Sequence, residues 1–301
     1  MRNRHHLPIT FFIVCGLSSS VAVRAGDQSA PSPKAETACE EKCSCCGQWF
    51  VVETENFQAC SVDSQATATL LAKTAESLRR NLQLKWLGAD STKPWTPKCQ
   101  IVLHPNLDSY VSACGRGSEH TVGTSMFKTE EERIAGRRID LLGGRPDFLS
   151  AALPHELTHV VLKDRFPSTT MPRWADEGAA ILADADAKQG RHLHDLETAI
   201  AQHTTFSAVK LLTLDDYPRP DQLGAFYGQS ISMTEFLIKK DTPATFVNFV
   251  QFAASKGYDV ALRQFYGISD AGELNRLWRQ YVDTTLHAQA PVAAASDLAS
   301  R

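Results

Sequence analysis

The sequence predicts an α+β fold with a mixed-sheet N-terminal lobe, a helical C-terminal lobe and an active-site cleft between them. Residues 49–146 carry short β-rich runs around one long helical pattern, whereas residues 147–286 carry helical spacing almost throughout. The 301-residue chain is 43% hydrophobic and 22% charged, which is ordinary for a globular protein. This composition excludes the collagenous, disordered and multi-span membrane classes.

Residues 1–25 have the pattern of a secretory signal peptide. Arg2 and Arg4 precede the apolar run Ile9–Leu17, and Val23–Ala25 offers a small-residue cleavage site. The apolar run is shorter than the roughly 20 residues that a membrane-spanning helix needs. We therefore expect an extracytoplasmic protein, secreted or periplasmic, with no stable membrane insertion after the signal is removed.

Residues 26–48 form a Ser/Pro-rich lead-in that ends in a cysteine cluster, and we expect this segment to be flexible. Seven cysteines follow the predicted cleavage site: Cys39, Cys43, Cys45, Cys46, Cys60, Cys99 and Cys114. An oxidising compartment favours at least two disulfides among them, and the odd number leaves one thiol free or paired between chains. A metal site at the cluster is the alternative, although the paired CxxC motifs of structural zinc are missing.

The N-terminal lobe is predicted to hold a sheet and one long helix. Strands are expected at Trp49–Thr54, Gln100–His104, Thr121–Phe127 and Arg138–Leu142, and the helix at Ala66–Leu87. The charged stretch Lys128–Arg133 separates the last two strands, which can form a hairpin. We expect Arg138–Leu142 at a sheet edge, where it can pair with an extended peptide.

The C-terminal lobe is predicted to be a series of helices separated by prolines and glycines. They are expected near residues 150–165, 174–188, 191–203, 221–240, 243–255 and 271–284. Residues 287–301 form an Ala-rich tail that ends in polar residues, and we expect this tail to be disordered.

The charge of the chain argues against a nucleic-acid partner. The formal net charge is −3, and removing the predicted signal takes away three arginines and no acidic residue, which leaves −6. No block of lysines and arginines stands clear of neighbouring acids, so the sequence lacks the basic patch that polyanion binding needs.

Residues 155–159 read His-Glu-Leu-Thr-His, an HExxH motif inside a predicted helix. Residues four apart lie on one helix face, so His155 and His159 can direct imidazole nitrogens at one metal ion. Glu156 can then act as a base on a metal-activated water without binding the ion. Pro154 has no N–H group, so the helix either begins near Ala151 or is kinked just before His155.

A further acidic residue, Glu177, follows His159 by 18 positions in the segment Trp174–Ala180, WADEGAA. HELTH followed by WADEGAA resembles the gluzincin zinc metallopeptidases, whose aminopeptidase-N-like members pair HExxH with W-x-N-E-G-x-A. The similarity extends in particular to bacterial secreted proteins with peptidase MA-like domains. Asp176 stands where the aminopeptidases have Asn.

This resemblance implies a zincin-like fold, one zinc ion per chain and a peptide or protein substrate. His155, His159 and Glu177 would be the zinc ligands, and Glu156 would be the catalytic base. Tyr227, in the segment AFYGQS, is similar in context to the tyrosine that hydrogen-bonds the oxyanion in these enzymes. A phenol suits that role because it is a neutral donor at physiological pH.

The remaining aromatic and imidazole candidates are assigned structural or solvated positions. We assign Tyr217, Tyr258, Tyr266 and Tyr281 to packing, and His192 and His194 to solvent. The chain lacks the Gly-x-Met-Glu-Asn strand that grips a free amino group in aminopeptidases, so aminopeptidase specificity is not expected.

The sequence therefore predicts a secreted zinc metallopeptidase of the HExxH gluzincin type. One alternative is a catalytically inactive zincin-fold binding or scaffold protein. The presence of Glu156 beside all three ligand candidates favours the enzyme, because a decayed enzyme often loses its base. A second alternative places the function in the cysteine-rich segment, as an interaction or redox module.

Overall fold

The computed structural model describes residues 12–17, 49–88, 93–144 and 148–289. The predicted lead-in, the cysteines at positions 39, 43, 45 and 46, and most of the predicted tail lie outside the described residues. No disulfide joins Cys60, Cys99 and Cys114 to one another in the described part of the chain, so the predicted bridges stay a prediction.

Six strands form one mixed sheet in the order β1-β5-β6-β4-β3-β2. Their bounds are Phe12–Leu17 (β1), Phe50–Glu53 (β2), Phe57–Ser61 (β3), Cys99–His104 (β4), Thr121–Glu130 (β5) and Arg133–Leu142 (β6). The pairs β3–β4 and β4–β6 are parallel, and the other neighbours are antiparallel. The mixed sheet confirms the predicted α+β class.

The prediction of an edge position for Arg138–Leu142 is wrong. These residues belong to β6, which pairs with β5 on one side and with β4 on the other. The predicted β5–β6 hairpin is confirmed and extends further than expected, because Lys128–Glu130 continue β5. The free side of β5 carries β1, where Cys15 lies opposite Thr124. Because β1 lies within the predicted signal peptide, whose other residues are outside the described ranges, removal of that signal would leave β5 at the edge of the sheet.

Eleven α-helices lie in the described ranges and make up most of the C-terminal part. Their bounds are Gln65–Leu87 (α1), Leu107–Cys114 (α2), Phe148–Ala151 (α3), Leu153–Lys163 (α4), Arg173–Ile181 (α5), Asp186–Ala201 (α6), Ala208–Leu212 (α7), Leu223–Lys240 (α8), Pro243–Lys256 (α9), Tyr258–Tyr266 (α10) and Ala271–Gln289 (α11). The single helix predicted at 174–188 is wrong, because α5 ends at Ile181 and α6 begins at Asp186. Since α11 continues to Gln289, the predicted tail begins too early.

Pro154 marks the start of a new helix. The short helix α3 ends at Ala151, and α4 begins at Leu153 with the proline in its first turn. A proline is tolerated there because the N–H groups of a first turn have no partner within the helix. The amide of Glu156 already bonds the carbonyl of Ala152, at 3.0 Å, so the HExxH motif lies in regular helix.

One apolar core joins the two predicted lobes. Trp86 of α1 packs on Phe246 of α9 with ring centroids 6.3 Å apart, and Trp174 of α5 packs on the same phenylalanine at 5.8 Å. Leu157 and Val160 bury the apolar face of α4 in this core. Burial of these side chains fixes α4 and α5 relative to the sheet. None of the helices in the described ranges is both long and apolar enough to span a membrane.

Candidate metal centre

His155 and His159 lie one turn apart on α4 and face the same interior space. Their ring centroids are 5.0 Å apart with an interplanar angle of 78°, and each residue is only 2% exposed. The four-residue spacing in regular helix produces this arrangement, as the sequence predicts.

Glu177 brings a carboxylate from α5 to the same space. Its Oε2 atom lies 3.7 Å from Nε2 of His155, and one ligand atom from each of the three residues lies within 4.8 Å of the others. The neighbouring Gly178 holds α5 close to α8, since a Cβ there would collide with the Thr234 hydroxyl and the Ser230 carbonyl. Close helix packing at this glycine therefore positions the carboxylate.

Three polar atoms at this convergence are buried and have no hydrogen-bond partner in the described structure. They are Nε2 of His155, Nε2 of His159 and Oε2 of Glu177. Buried polar groups without partners cost free energy, so their convergence indicates a cation site. Two imidazole nitrogens and one carboxylate oxygen are a donor set that suits zinc. In the described ranges, no other group of three or more His, Cys, Asp or Glu residues brings ligand atoms close enough together to hold a metal ion.

Each imidazole is oriented by a carboxylate on its other nitrogen. Nδ1 of His155 lies 3.1 Å from Oδ2 of Asp184, and Nδ1 of His159 lies 2.9 Å from Oδ1 of Asp176. An ionised carboxylate only accepts, so each Nδ1 must donate, and Nε2 is turned toward the cluster. Asp176 therefore orients the ring of His159 and places a carboxylate beside it.

The two imidazoles differ in electrostatic environment. Burial and the nearby ammonium group of Lys188 lower the pKa of His155 to about 4, despite the opposing effect of Asp184. Burial alone would lower the pKa of His159 as well, but Asp176 and the other carboxylates around it raise that pKa to about 9. In the metal-free protein at neutral pH, His155 is neutral and His159 is protonated.

Tyr217 contacts Glu177, the third ligand candidate. The sequence analysis missed this contact. The Tyr217 hydroxyl donates a hydrogen bond to Oε1 of Glu177. The assignment of Tyr217 to packing alone is therefore wrong. The residue precedes Pro218 in the loop between α7 and α8, and no periodicity or motif there signals such a contact.

The side chain of Glu156 lies against the sheet. Gly123 of β5 passes so close that a Cβ there would lie 2.8 Å from Cγ of Glu156. The Oε2 atom of Glu156 is buried without a hydrogen-bond partner in the described structure, and burial raises the pKa of this carboxyl group to about 7. The group is therefore poised to exchange a proton near neutral pH.

Tyr227 lies on α8, next to Tyr217 and His192. It is 5% exposed, and its ring centroid is 6.3 Å from that of Tyr217 and 5.4 Å from that of His192. The predicted catalytic role of Tyr227 stays a prediction. The prediction that His192 is solvated is wrong, because the residue is 7% exposed and burial lowers its pKa to about 4. His194 is exposed, as predicted.

The comparison with known families concerns the part of the chain that holds this cluster. Residues 138–284 match the Peptidase MA superfamily. The HExxH motif, Glu177, Tyr217 and Tyr227 all lie inside the Peptidase MA match. This match supports a zincin-like peptidase and suggests a metal, in agreement with the buried donor set. A search of curated proteins finds no match.

Proposed function

We propose that this protein is a secreted, zinc-dependent metallopeptidase that hydrolyses peptide bonds with Glu156 as general base. The convergence of three unpartnered ligand atoms from His155, His159 and Glu177 carries the proposal. The Peptidase MA match supports the peptidase class independently of this geometry.

The cluster residues would hold one zinc ion per chain. Zinc supplies a Lewis acid for the scissile carbonyl and a nucleophilic water at neutral pH. Asp184 and Asp176 keep the imidazole Nε2 atoms directed at the ion through their bonds to Nδ1. Tyr217 orients the Glu177 carboxylate in the same way.

Glu156 performs the proton transfers. Its free Oε2 atom accepts a proton from the attacking water, and the same group then donates this proton to the leaving amine nitrogen. Tyr227 donates from its phenol to the carbonyl oxygen that gains negative charge during the attack. Both residues lie in largely water-excluded surroundings, where such interactions are stronger than in solution.

Export and disulfide formation belong to the same proposal. The signal pattern at residues 1–25 and the seven cysteines that follow it support an oxidising, extracytoplasmic location. Mass spectrometry of the exported protein, before and after alkylation, is expected to show at least two bridges. Seven free thiols in that fraction would contradict both the bridges and the location.

The Glu156→Gln variant tests the enzymatic proposal. Gln keeps the shape of the side chain but removes the base, so peptide hydrolysis is expected to fall by at least about 100-fold. Zinc content, measured by elemental mass spectrometry, is expected to stay near one ion per chain because Glu156 is outside the ligand set.

Glu197→Gln, which changes an exposed carboxylate on α6, is the matched control and is expected to keep both zinc and activity. If zinc-loaded wild type hydrolyses no peptide in a broad library, and Glu156→Gln behaves identically, the protein is an inactive zincin-fold scaffold instead. If wild type takes up no zinc on titration, the metal assignment itself is wrong.

A further inference from the structure

A narrow pocket adjoins the metal cluster on the side of His159. Four apolar side chains form much of its wall: Phe127, Leu162, Phe166 and Met171. Lys163 and Arg173 add two cations to the lining, and Asp176 adds one anion. Two cations against one anion leave the lining of this pocket with a positive balance of charge.

Arg173 has hydrogen-bonding capacity to spare. Its side chain is 15% exposed, and it makes no hydrogen bond in the described part of the structure. The guanidinium carbon lies 4.9 Å from the ring centroid of Tyr217, and Nε lies 3.9 Å from an oxygen of the exposed Asp216. A distance of 3.9 Å is too long for a hydrogen bond, so the planar set of N–H donors remains available.

Lys163 places a second cation on the same pocket. Its Nζ atom donates to the carbonyl of Thr169 at 2.8 Å and lies 6.0 Å from the ring centroid of Phe127. An ammonium group has three donors, so this contact leaves two for a ligand. Two cations over apolar walls favour an anion attached to an organic chain.

The pocket opens beside a larger cavity, and Arg173 lines both. This second cavity has a volume of ≈ 480 Å³ and is bounded by residues that include Leu212, Asp215 and Tyr258. Arg173 therefore borders both spaces, and a carboxylate that enters the larger cavity can meet its guanidinium group.

We propose that Arg173, assisted by Lys163, binds a carboxylate of the substrate and so selects peptides that carry one near the scissile bond. The inference rests on the proposed peptidase function. The carboxylate comes either from the substrate's free C-terminus or from an Asp or Glu side chain. In both cases the preference follows from the planar guanidinium group of Arg173, because it can donate to two carboxylate oxygens at once.

Two matched pairs of fluorogenic peptides test the proposal on the zinc-loaded full-length protein. One pair differs only in Glu against Gln beside the scissile bond, and the other only in a free C-terminus against a C-terminal amide. Wild type is expected to prefer the carboxylate member of one pair by about 10- to 100-fold in kcat/KM. The pair that shows the preference identifies the source of the carboxylate.

Arg173→Gln is expected to reduce that ratio to near one, and Arg173→Lys to restore part of it. Lys163→Gln provides a second, independent change in the same pocket and is expected to lower the ratio less. The matched control is Arg165→Gln, because Arg165 bonds Asn248 away from the pocket, and its ratio is expected to equal that of wild type. Zinc content is measured for every variant, so that damage to the cluster is recognised.

Direct binding separates this inference from the peptidase proposal. Fluorescence anisotropy measures how tightly the labelled peptides of both pairs bind while they are still uncleaved. If no peptide is hydrolysed but one pair is still distinguished through Arg173, the peptidase proposal fails and the carboxylate site stands. If peptides are hydrolysed but neither pair is distinguished, or Arg173→Gln keeps the wild-type ratio, the carboxylate site is wrong.

Discussion

Tyr217 donates its hydroxyl hydrogen to Oε1 of Glu177, while Oε2 of the same carboxylate lies 3.7 Å from Nε2 of His155. One oxygen is thus fixed by the protein and the other is left for a metal. Burial raises the pKa of the Tyr217 phenol, so it stays a neutral donor across the physiological range.

Tyr217→Phe is expected to lower zinc affinity by about 10- to 100-fold, because it removes the group that orients a ligand. Competition with a chromophoric chelator measures the change. Tyr281→Phe removes a phenol that bonds Glu235 far from the cluster, and this control is expected to bind zinc like wild type. Unchanged affinity in Tyr217→Phe would show that Glu177 needs no such support.

Tyr227→Phe is expected to lower kcat by about 100-fold with little change in KM, because the phenol acts only on charge that develops during attack. Steady-state kinetics at full zinc loading measures both constants. A role in packing predicts a different pattern, with a lower melting temperature and a near-normal kcat. That second pattern would remove Tyr227 from the catalytic set.

The pH profile of kcat/KM is expected to fall on the acid side through the pKa of Glu156. Burial raises this pKa to about 7, and a base works only when deprotonated, so activity is present above the pKa and lost below it. A bound divalent cation stabilises the ionised form of Glu156, so the acid limb of the pH profile is expected at or below that pKa. Zinc content at each pH separates this limb from metal loss, and a flat profile down to about pH 4 would contradict the assignment.

Gly178→Ala is expected to destabilise the protein by about 1–3 kcal/mol, because the added methyl group meets the Ser230 carbonyl and the Thr234 hydroxyl. Displacement of α5 also carries Glu177 away, so zinc affinity is expected to fall as well. Gly190→Ala is the matched control. Apart from the neighbouring residues and the backbone of α6 itself, no atom lies within 4 Å of a Cβ at Gly190, so this change is expected to stabilise by about 0.4–1 kcal/mol. Denaturant titrations of both variants test the contrast.

The sequence was sufficient to predict the pair His155 and His159 from local geometry, and Glu177 from the resemblance of its segment to the gluzincin motif. His155 and His159 share a helix face through spacing alone, and Glu177 follows in the next helix with a motif of its own. The helix at Gln65–Leu87 was predictable for a similar reason, because apolar residues recur along it at helical spacing.

The missed features depend on contacts between distant segments. Tyr217 reaches Glu177 across 40 positions, and only the packing of its loop brings them together. The apolar residues after Ile181 continue the helical pattern of the sequence, but α5 ends at Ile181. The turn that follows brings the carboxylate of Asp184 to Nδ1 of His155. His192 looked solvated beside its acidic neighbours, yet it packs against Tyr227 from the next long helix. Tertiary packing overrides a local pattern in each case.

The pairing of Asp176 with His159 makes the proton a competitor of the metal. With a pKa of about 9, His159 carries an extra proton at neutral pH when no metal is bound, and that proton occupies the nitrogen that a metal needs. Metal binding therefore releases this proton from His159. One positive charge replaces another, so the negative charge of the buried carboxylates is balanced both with and without the metal. As a result, acidification is expected to weaken the binding of a metal at this site.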